Sequence, residues 1–127
     1  MTVVDTNFLI SILKGKGASE ATVDMIENPK TTTVNAYELY YGARRSANPG
    51  KSFSEVTSLL KSIDILGFDK SAALKAGDIQ AELMNSGRPI NILDVFIAAI
   101  TITNNEELVT RDIDHFSRIQ GLRCRSW

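Results

Sequence analysis

Val3 and Val4 run into Asp5, and Phe8, Leu9, Ile12 and Leu13 then repeat at helical spacing. A short apolar run that stops at a polar residue predicts a buried strand, and the stripe after it predicts a helix facing a core. Gly15 and Gly17 stop that helix. Ser19 is placed to cap a second short helix carrying Val23 and Ile26, which Pro29 breaks. Thr31 to Val34 is β-branched throughout and predicts a second strand. Asn35 then opens a helix through Arg45, closed by an Asn48-Pro49-Gly50 turn. Ser52 to Leu60 reads as helix and Ile63 to Leu66 as a third strand. Asp69 can cap a long helix with the stripe Ala72, Ala76, Ile79 and Leu83, and Gly87 sits where a glycine past the helix end belongs. Asn91 opens a further helix through Thr103. Leu108 to Thr110 is a fourth strand ending at Arg111-Asp112, a short helical turn follows, and Leu122 to Arg125 reads as a last edge strand.

Strands alternating with helices predict an α/β fold: three αβα layers around a mainly parallel sheet. Ligands of such sheets bind outside the carboxyl ends of the strands, where strand order reverses. Polar residues at those ends are the ones to inspect.

Composition narrows the picture. The 127 residues fit one domain, residues 1–127, with 43% apolar and 23% charged residues. There is no repeat or low-complexity tract. The longest uninterrupted apolar run, Val95 to Ile100, is far too short for a membrane span, and no basic segment followed by an apolar one opens the chain. The single cysteine, Cys124, cannot form an intrachain disulfide. These features predict a cytoplasmic protein with no membrane partner. The net charge is −1, from 14 Lys and Arg against 15 Asp and Glu. Nucleic-acid binding by bulk charge is therefore excluded, and any such role needs a local basic patch or cations bound to an acidic site.

Four carboxylates stand in telling places. Asp5 ends the first strand, where it serves either as a helix cap or as a site residue; Thr6 could also cap. Glu38 lies three residues after Asn35, the spacing of a capping box. Asp94 is the only charged residue between Arg88 and Glu106, in a helix apolar on nearly every side. A carboxylate there is costly unless paired, hydrogen-bonded or metal-bound, which favours a site over a first-turn acid. Asp112 ends the fourth strand, and Asp114 beside it reads as a cap or a solvated residue. In a doubly wound sheet all four acids can converge on one rim. Like charges that close repel, so the cluster calls for cations. Oxygen ligands, with no His or Cys sharing the work, suit Mg²⁺ or Mn²⁺. Phosphodiester hydrolysis is the chemistry that fits, with metal activating water and neutralising developing charge.

Other features have plainer readings. Arg44 and Arg45 suit the helix C-terminal dipole, or else phosphate contact, and Lys14, Lys16 and Arg88 are similar candidates. Tyr37 and Tyr41 share a helix face open to a partner, while Cys124 reads as a small hydrophobe. His115, the only histidine, reads as a surface or helix-end residue.

Val4-Asp5-Thr6-Asn7-Phe8-Leu9-Ile10 resembles the opening motif of PIN-domain proteins. Asn35 to Gly42 resembles their second motif, Asp94 to Ala99 the third and Leu108 to Asp112 the fourth. Order, spacing and length are similar to the VapC toxins of toxin–antitoxin pairs, over almost the whole chain. The resemblance implies a PIN-like fold and a Mg²⁺-dependent (or Mn²⁺-dependent) endoribonuclease. It also implies a homodimer, an RNA substrate and inhibition by a small antitoxin lying across the site. It would make Asp5, Glu38, Asp94 and Asp112 the acidic quartet, with Asp5, Asp94 and Asp112 on metal and Glu38 orienting or deprotonating water. Thr6, Asn7 and Thr110 would support the site. A haloacid-type phosphatase would need an acid at Asn7, and a receiver-type phosphoacceptor would need one at the end of the second strand, near Val34-Asn35. A free-standing RNA-processing nuclease, and a binding module whose acids merely cap helices, remain as alternatives.

Overall fold

The computed structural model describes residues 2–15 and 28–127. Lys16, Gly17 and the short helix expected between Ser19 and Ile26 lie outside the described residues. The described chain runs β1 (Thr2–Val4), α1 (Thr6–Lys14), β2 (Pro29–Thr32), α2 (Thr33–Arg44), α3 (Pro49–Lys61), β3 (Asp64–Leu66), α4 (Lys70–Asn85), α5 (Ile92–Thr103), β4 (Glu107–Val109), α6 (Ile113–Phe116) and β5 (Cys124–Arg125).

The strands form one sheet in the order β3-β2-β1-β4-β5, every neighbour parallel. Alternating side chains in β1 and β4 split the core between the two faces. Val3 and Leu108 point to one face and pack with Ala76, Ile79 and Leu83 of α4, with α5, and with Phe116 of α6. Val4 and Val109 point to the other and pack with Phe8 and Leu9 of α1, Leu39 of α2 and Val56 and Leu60 of α3. The three αβα layers follow directly. The order reverses at β1, because the chain first winds outward through β2 and β3 and then returns to add β4 and β5 on the other side. The carboxyl ends of β1 and β4 therefore border the crevice where such sheets bind ligands.

Helix ends account for most of the placements. Gly15 stops α1 with φ 64, and Gly87 follows α4 with φ 66, where Arg88 N donates to Leu83 O at 2.9 Å. Asp69 caps α4 through Ala72 N at 2.9 Å, as expected. Two boundaries differ from the sequence expectation. Thr32 rather than Asn35 caps α2, its hydroxyl accepting from Asn35 N at 3.1 Å, so Val34 lies in the helix and not in the strand. The Asn48-Pro49-Gly50 turn is itself the start of α3: Asn48 accepts from Lys51 N at 3.3 Å and Pro49 occupies the first turn, where its missing N–H costs nothing. At the amino-terminal edge of the sheet, Lys30 meets Glu106 at 2.8 Å, and the Glu106 side chain is 1% exposed. No helix of the described residues is long and apolar enough to cross a membrane.

Candidate active site

Asp5 stands immediately past β1, held there by its N–H donating to Val109 O at 3.3 Å. Its Oδ1 accepts from Phe8 N at 3.0 Å, so it caps α1. That bond occupies one face of one oxygen. The same buried carboxylate also feels the charge of Asp112 across the β1–β4 junction. The cap reading holds, and capping leaves the carboxylate within the field of Asp112. Burial pushes its pKa up and the Asp112 charge adds to that, while the Thr110 hydroxyl and the Phe8 amide pull the other way.

Glu38 is reached by a directed relay. With α2 starting at Thr33, Glu38 lies in its second turn, too far in to close a capping box with Asn35. Thr32 Oγ1 donates to Asn35 Oδ1 at 2.7 Å. Asn35 Nδ2 donates to Thr6 Oγ1 at 3.0 Å, and Thr6 Oγ1 donates to Glu38 Oε1 at 2.7 Å. Asn35 is fully buried, so each of these polar groups needs its partner. The four-residue relay ties the second motif to the first and aims Glu38 at the rim.

Asp94 sits in the first turn of α5, whose cap is Asn91, accepting from Leu93 N at 2.8 Å. Among the described residues the Asp94 carboxylate accepts no hydrogen bond. Its pKa is raised to about 6. Burial is the main cause; the charges of Glu38, Asp112 and Asp5 add to it, and His115 opposes it. The repulsion is the electrostatic signature of four acids converging on one rim.

Asp112 occupies the cap position of α6, yet its side chain makes no cap bond. Its N–H donates to the Oγ1 of buried Thr110 at 3.0 Å. Asp112 Oδ2 instead lies 2.7 Å from His115 Nδ1. Ligand atoms of Asp94, Asp112 and His115 all lie within 4.8 Å of one another. His115 is the residue that sequence reasoning passed over. Its only signal is the i, i+3 spacing from Asp112 in a single-turn helix, too short to show a periodicity. Asp114 is exposed and stays out of the cluster.

The remaining candidates separate. Thr6 and Thr110 join the site, whereas Asn7 is exposed on α1 and, among the described residues, no hydrogen bond links it to the acids. Arg44 and Arg45 end α2, about 9 Å along the axis from Glu38. Arg44 lies 5.8 Å from the Phe53 ring centre, and Arg45 lies 5.6 Å from that of Tyr41 while donating to its hydroxyl at 3.2 Å. Tyr41 in turn stacks on Tyr37 at 6.2 Å, both more than half exposed. Glu38 also borders a groove of ≈330 Å³ between α1, α2 and α3 that includes Leu13, Lys14, Gly42 and Glu55.

Among the described residues no Lys or Arg forms an ion pair with Asp5, Glu38 or Asp94. Carboxylate oxygens with unmet charge, plus one imidazole nitrogen, form a donor set that fits a small divalent cation. Fold and rim together define a doubly wound α/β protein with an acidic site at its topological switch point. The sequence profile of the PIN domain family matches residues 2–122, and the chain belongs to that family. It is 33% identical over 127 residues to the tRNA(fMet)-specific endonuclease VapC of Shigella flexneri, covering 98% of this chain and 96% of that protein. It is 29% identical over 128 residues to Ribonuclease VapC2 of Haemophilus influenzae, covering 98% and 96%. In structure it is similar to a chain of DNA-bound VapBC from Salmonella typhimurium, with TM-score 0.91, 28% identity and coverage of 99% and 97%.

Proposed function

We propose that the chain is a divalent-metal-dependent endoribonuclease acting in the cytoplasm as the toxin of a toxin–antitoxin pair. The observation that carries this reading is Asp94, whose proton is held to about pH 6 by burial and by Glu38, Asp112 and Asp5. A rim that repels itself in the apo state is one preorganised for a cation. The names of the Shigella and Haemophilus relatives support RNA as substrate, with tRNA the first class to try. The VapBC likeness supports a small antitoxin as partner.

In this reading Asp5, Asp94 and Asp112 hold Mg²⁺ or Mn²⁺. When bound, the cation supplies charge neutralisation at the phosphodiester and lowers the pKa of water. Glu38 orients the attacking water and takes its proton. The Thr6 hydroxyl occupies Oε1, which leaves Oε2 as the accepting atom. Thr110 steadies Asp5 and the Asp112 backbone together, fixing the separation of two ligands. Arg44 and Arg45 contact neighbouring phosphates of a strand that crosses the site.

The test is cleavage of a pool of structured and single-stranded RNAs by the purified chain in Mg²⁺, in Mn²⁺ and in EDTA, beside Asp94→Asn. Metal-dependent cutting that disappears in the variant is expected. Cutting that survives EDTA or survives Asp94→Asn would overturn the assignment. Full function of Asp94→Asn without any cleavage by either protein would favour the binding-module alternative.

A further inference from the structure

Oxygen donors alone do not describe this site. We propose that His115 is a nitrogen ligand of the metal centre and shifts its preference from Mg²⁺ toward Mn²⁺ and later first-row ions. The inference rests on the reading that Asp94 and Asp112 hold a cation.

Four observations place the imidazole there. Its ligand atom lies within 4.8 Å of those of both Asp94 and Asp112. Cis ligands about 2.1 Å from one octahedral ion stand about 3 Å apart, so closing by at most about 1.8 Å lets all three share it. His115 Nδ1 is screened from solvent and has no directed hydrogen bond, although it approaches Asp112 Oδ2 to 2.7 Å. An imidazole serving only as a salt-bridge donor would aim its N–H at the carboxylate. Next, α6 is anchored by the neighbouring Phe116, 2% exposed in the core, which fixes the direction of a side chain one residue away. Finally, the Asp112 carboxylate is not spent on capping α6, so both members of the pair face the rim.

Imidazole nitrogen suits transition-metal ions, whereas Mg²⁺ favours oxygen ligands and retained water. One nitrogen among three carboxylates therefore discriminates between ions of the same charge without excluding either.

Because His115 is the only histidine in the sequence, any imidazole coupling to bound metal reports on it alone. The experiment titrates Mn²⁺ into the purified chain, free of any histidine tag, and follows it by pulsed EPR, with Mg²⁺ as competitor. Wild type should show ¹⁴N coupling to bound Mn²⁺. In His115→Gln the coupling should vanish, and the Mn²⁺-over-Mg²⁺ preference should fall at least about tenfold while Mn²⁺ still binds. Bound Mn²⁺ without nitrogen coupling in wild type, or an unchanged preference in His115→Gln, would overturn this inference and leave the metal centre standing. Mn²⁺ binding that is absent, or that Asp94→Asn leaves unchanged, would overturn the metal centre itself and His115 with it.

Discussion

Replacing Asp94 by Asn keeps the shape of the side chain and removes its charge from a rim that repels it. A carboxyl whose pKa moves from 3.8 unfolded to about 6 folded binds its proton more tightly in the native state. Its contribution to stability is therefore present below pH 3.8 and is lost as pH rises through 6. The full linkage comes to about 3 kcal/mol. Asp94 is only partly buried, so solvent screening cuts this. The first-turn position on α5 also returns about 0.3–1 kcal/mol of favourable helix-dipole interaction that Asn would lose. About 1–2 kcal/mol remains. Without metal at pH 8, Asp94→Asn should thus be more stable than wild type, and the two should converge near pH 4.

For 127 residues an unfolding entropy of about 2.1 cal/mol/K per residue turns this into a Tm about 4–7 °C higher for the variant. Trp127 is the only tryptophan and packs edge-on against Phe8 of the core, ring centres 5.1 Å apart, so its fluorescence follows unfolding. Melts in EDTA at pH 4 and pH 8 decide the matter. Mg²⁺ at ten times its Kd should then add about 1.4 kcal/mol to wild type and nothing comparable to the variant. A variant less stable than wild type at pH 8 in EDTA would refute the reasoning, because Asp94 would then be making a stabilising bond.

Thr6→Val removes the central hydroxyl of the relay and leaves Asn35 Nδ2 and Glu38 Oε1 without it. Urea denaturation should show a loss of about 1–3 kcal/mol, RNA cleavage should drop with it, and Thr6→Ser should recover most of both. Lys30→Met strands the buried Glu106 carboxylate and should cost about 3 kcal/mol in the same assay. That pair sits at the far end of the sheet from the acids, so calorimetric Mg²⁺ affinity should not change.

The strands and long helices were legible because their apolar stripes match the periods of the elements they form. Asp94 was legible for a related reason: a lone charge in an apolar helix has few structural uses. Asp5 resisted a choice between cap and site because a carboxylate has two oxygens, and capping α1 through one leaves the group subject to the charge of Asp112. Glu38 was misplaced by three residues, most of a helical turn, because the cap is Thr32 and not Asn35. Thr32 and Thr33 are β-branched and continue the strand pattern, so composition hid a cap that only the hydrogen bond to Asn35 N reveals. Pro49 shows the same ambiguity, since one residue punctuates turns and opens helices. His115 lay beyond reach because the contact depends on how a one-turn helix is anchored, and four residues carry no period.

The hydroxyls of the site have a fixed polarity, and it sets the pH dependence of metal binding. A hydroxyl carries one proton. Thr32 Oγ1 accepts from Asn35 N, so it donates to Asn35 Oδ1; that leaves Asn35 Nδ2 for Thr6, whose own proton can go only to Glu38. Thr110 repeats the logic: its oxygen accepts from Asp112 N, which frees its proton for Asp5. Thr110 thus favours an ionised neighbour at Asp5. Repulsion along the rim favours protonated carboxyls. Asp94, which accepts no hydrogen bond among the described residues, is left to absorb the repulsion by holding a proton up to about pH 6. A cation must displace that proton to bind. Cleavage at limiting Mg²⁺ should therefore fall about tenfold for each pH unit below 6, and saturating metal should move the fall to lower pH. A pH–rate profile whose midpoint ignores metal concentration would mean that the titrating group does not hold the metal.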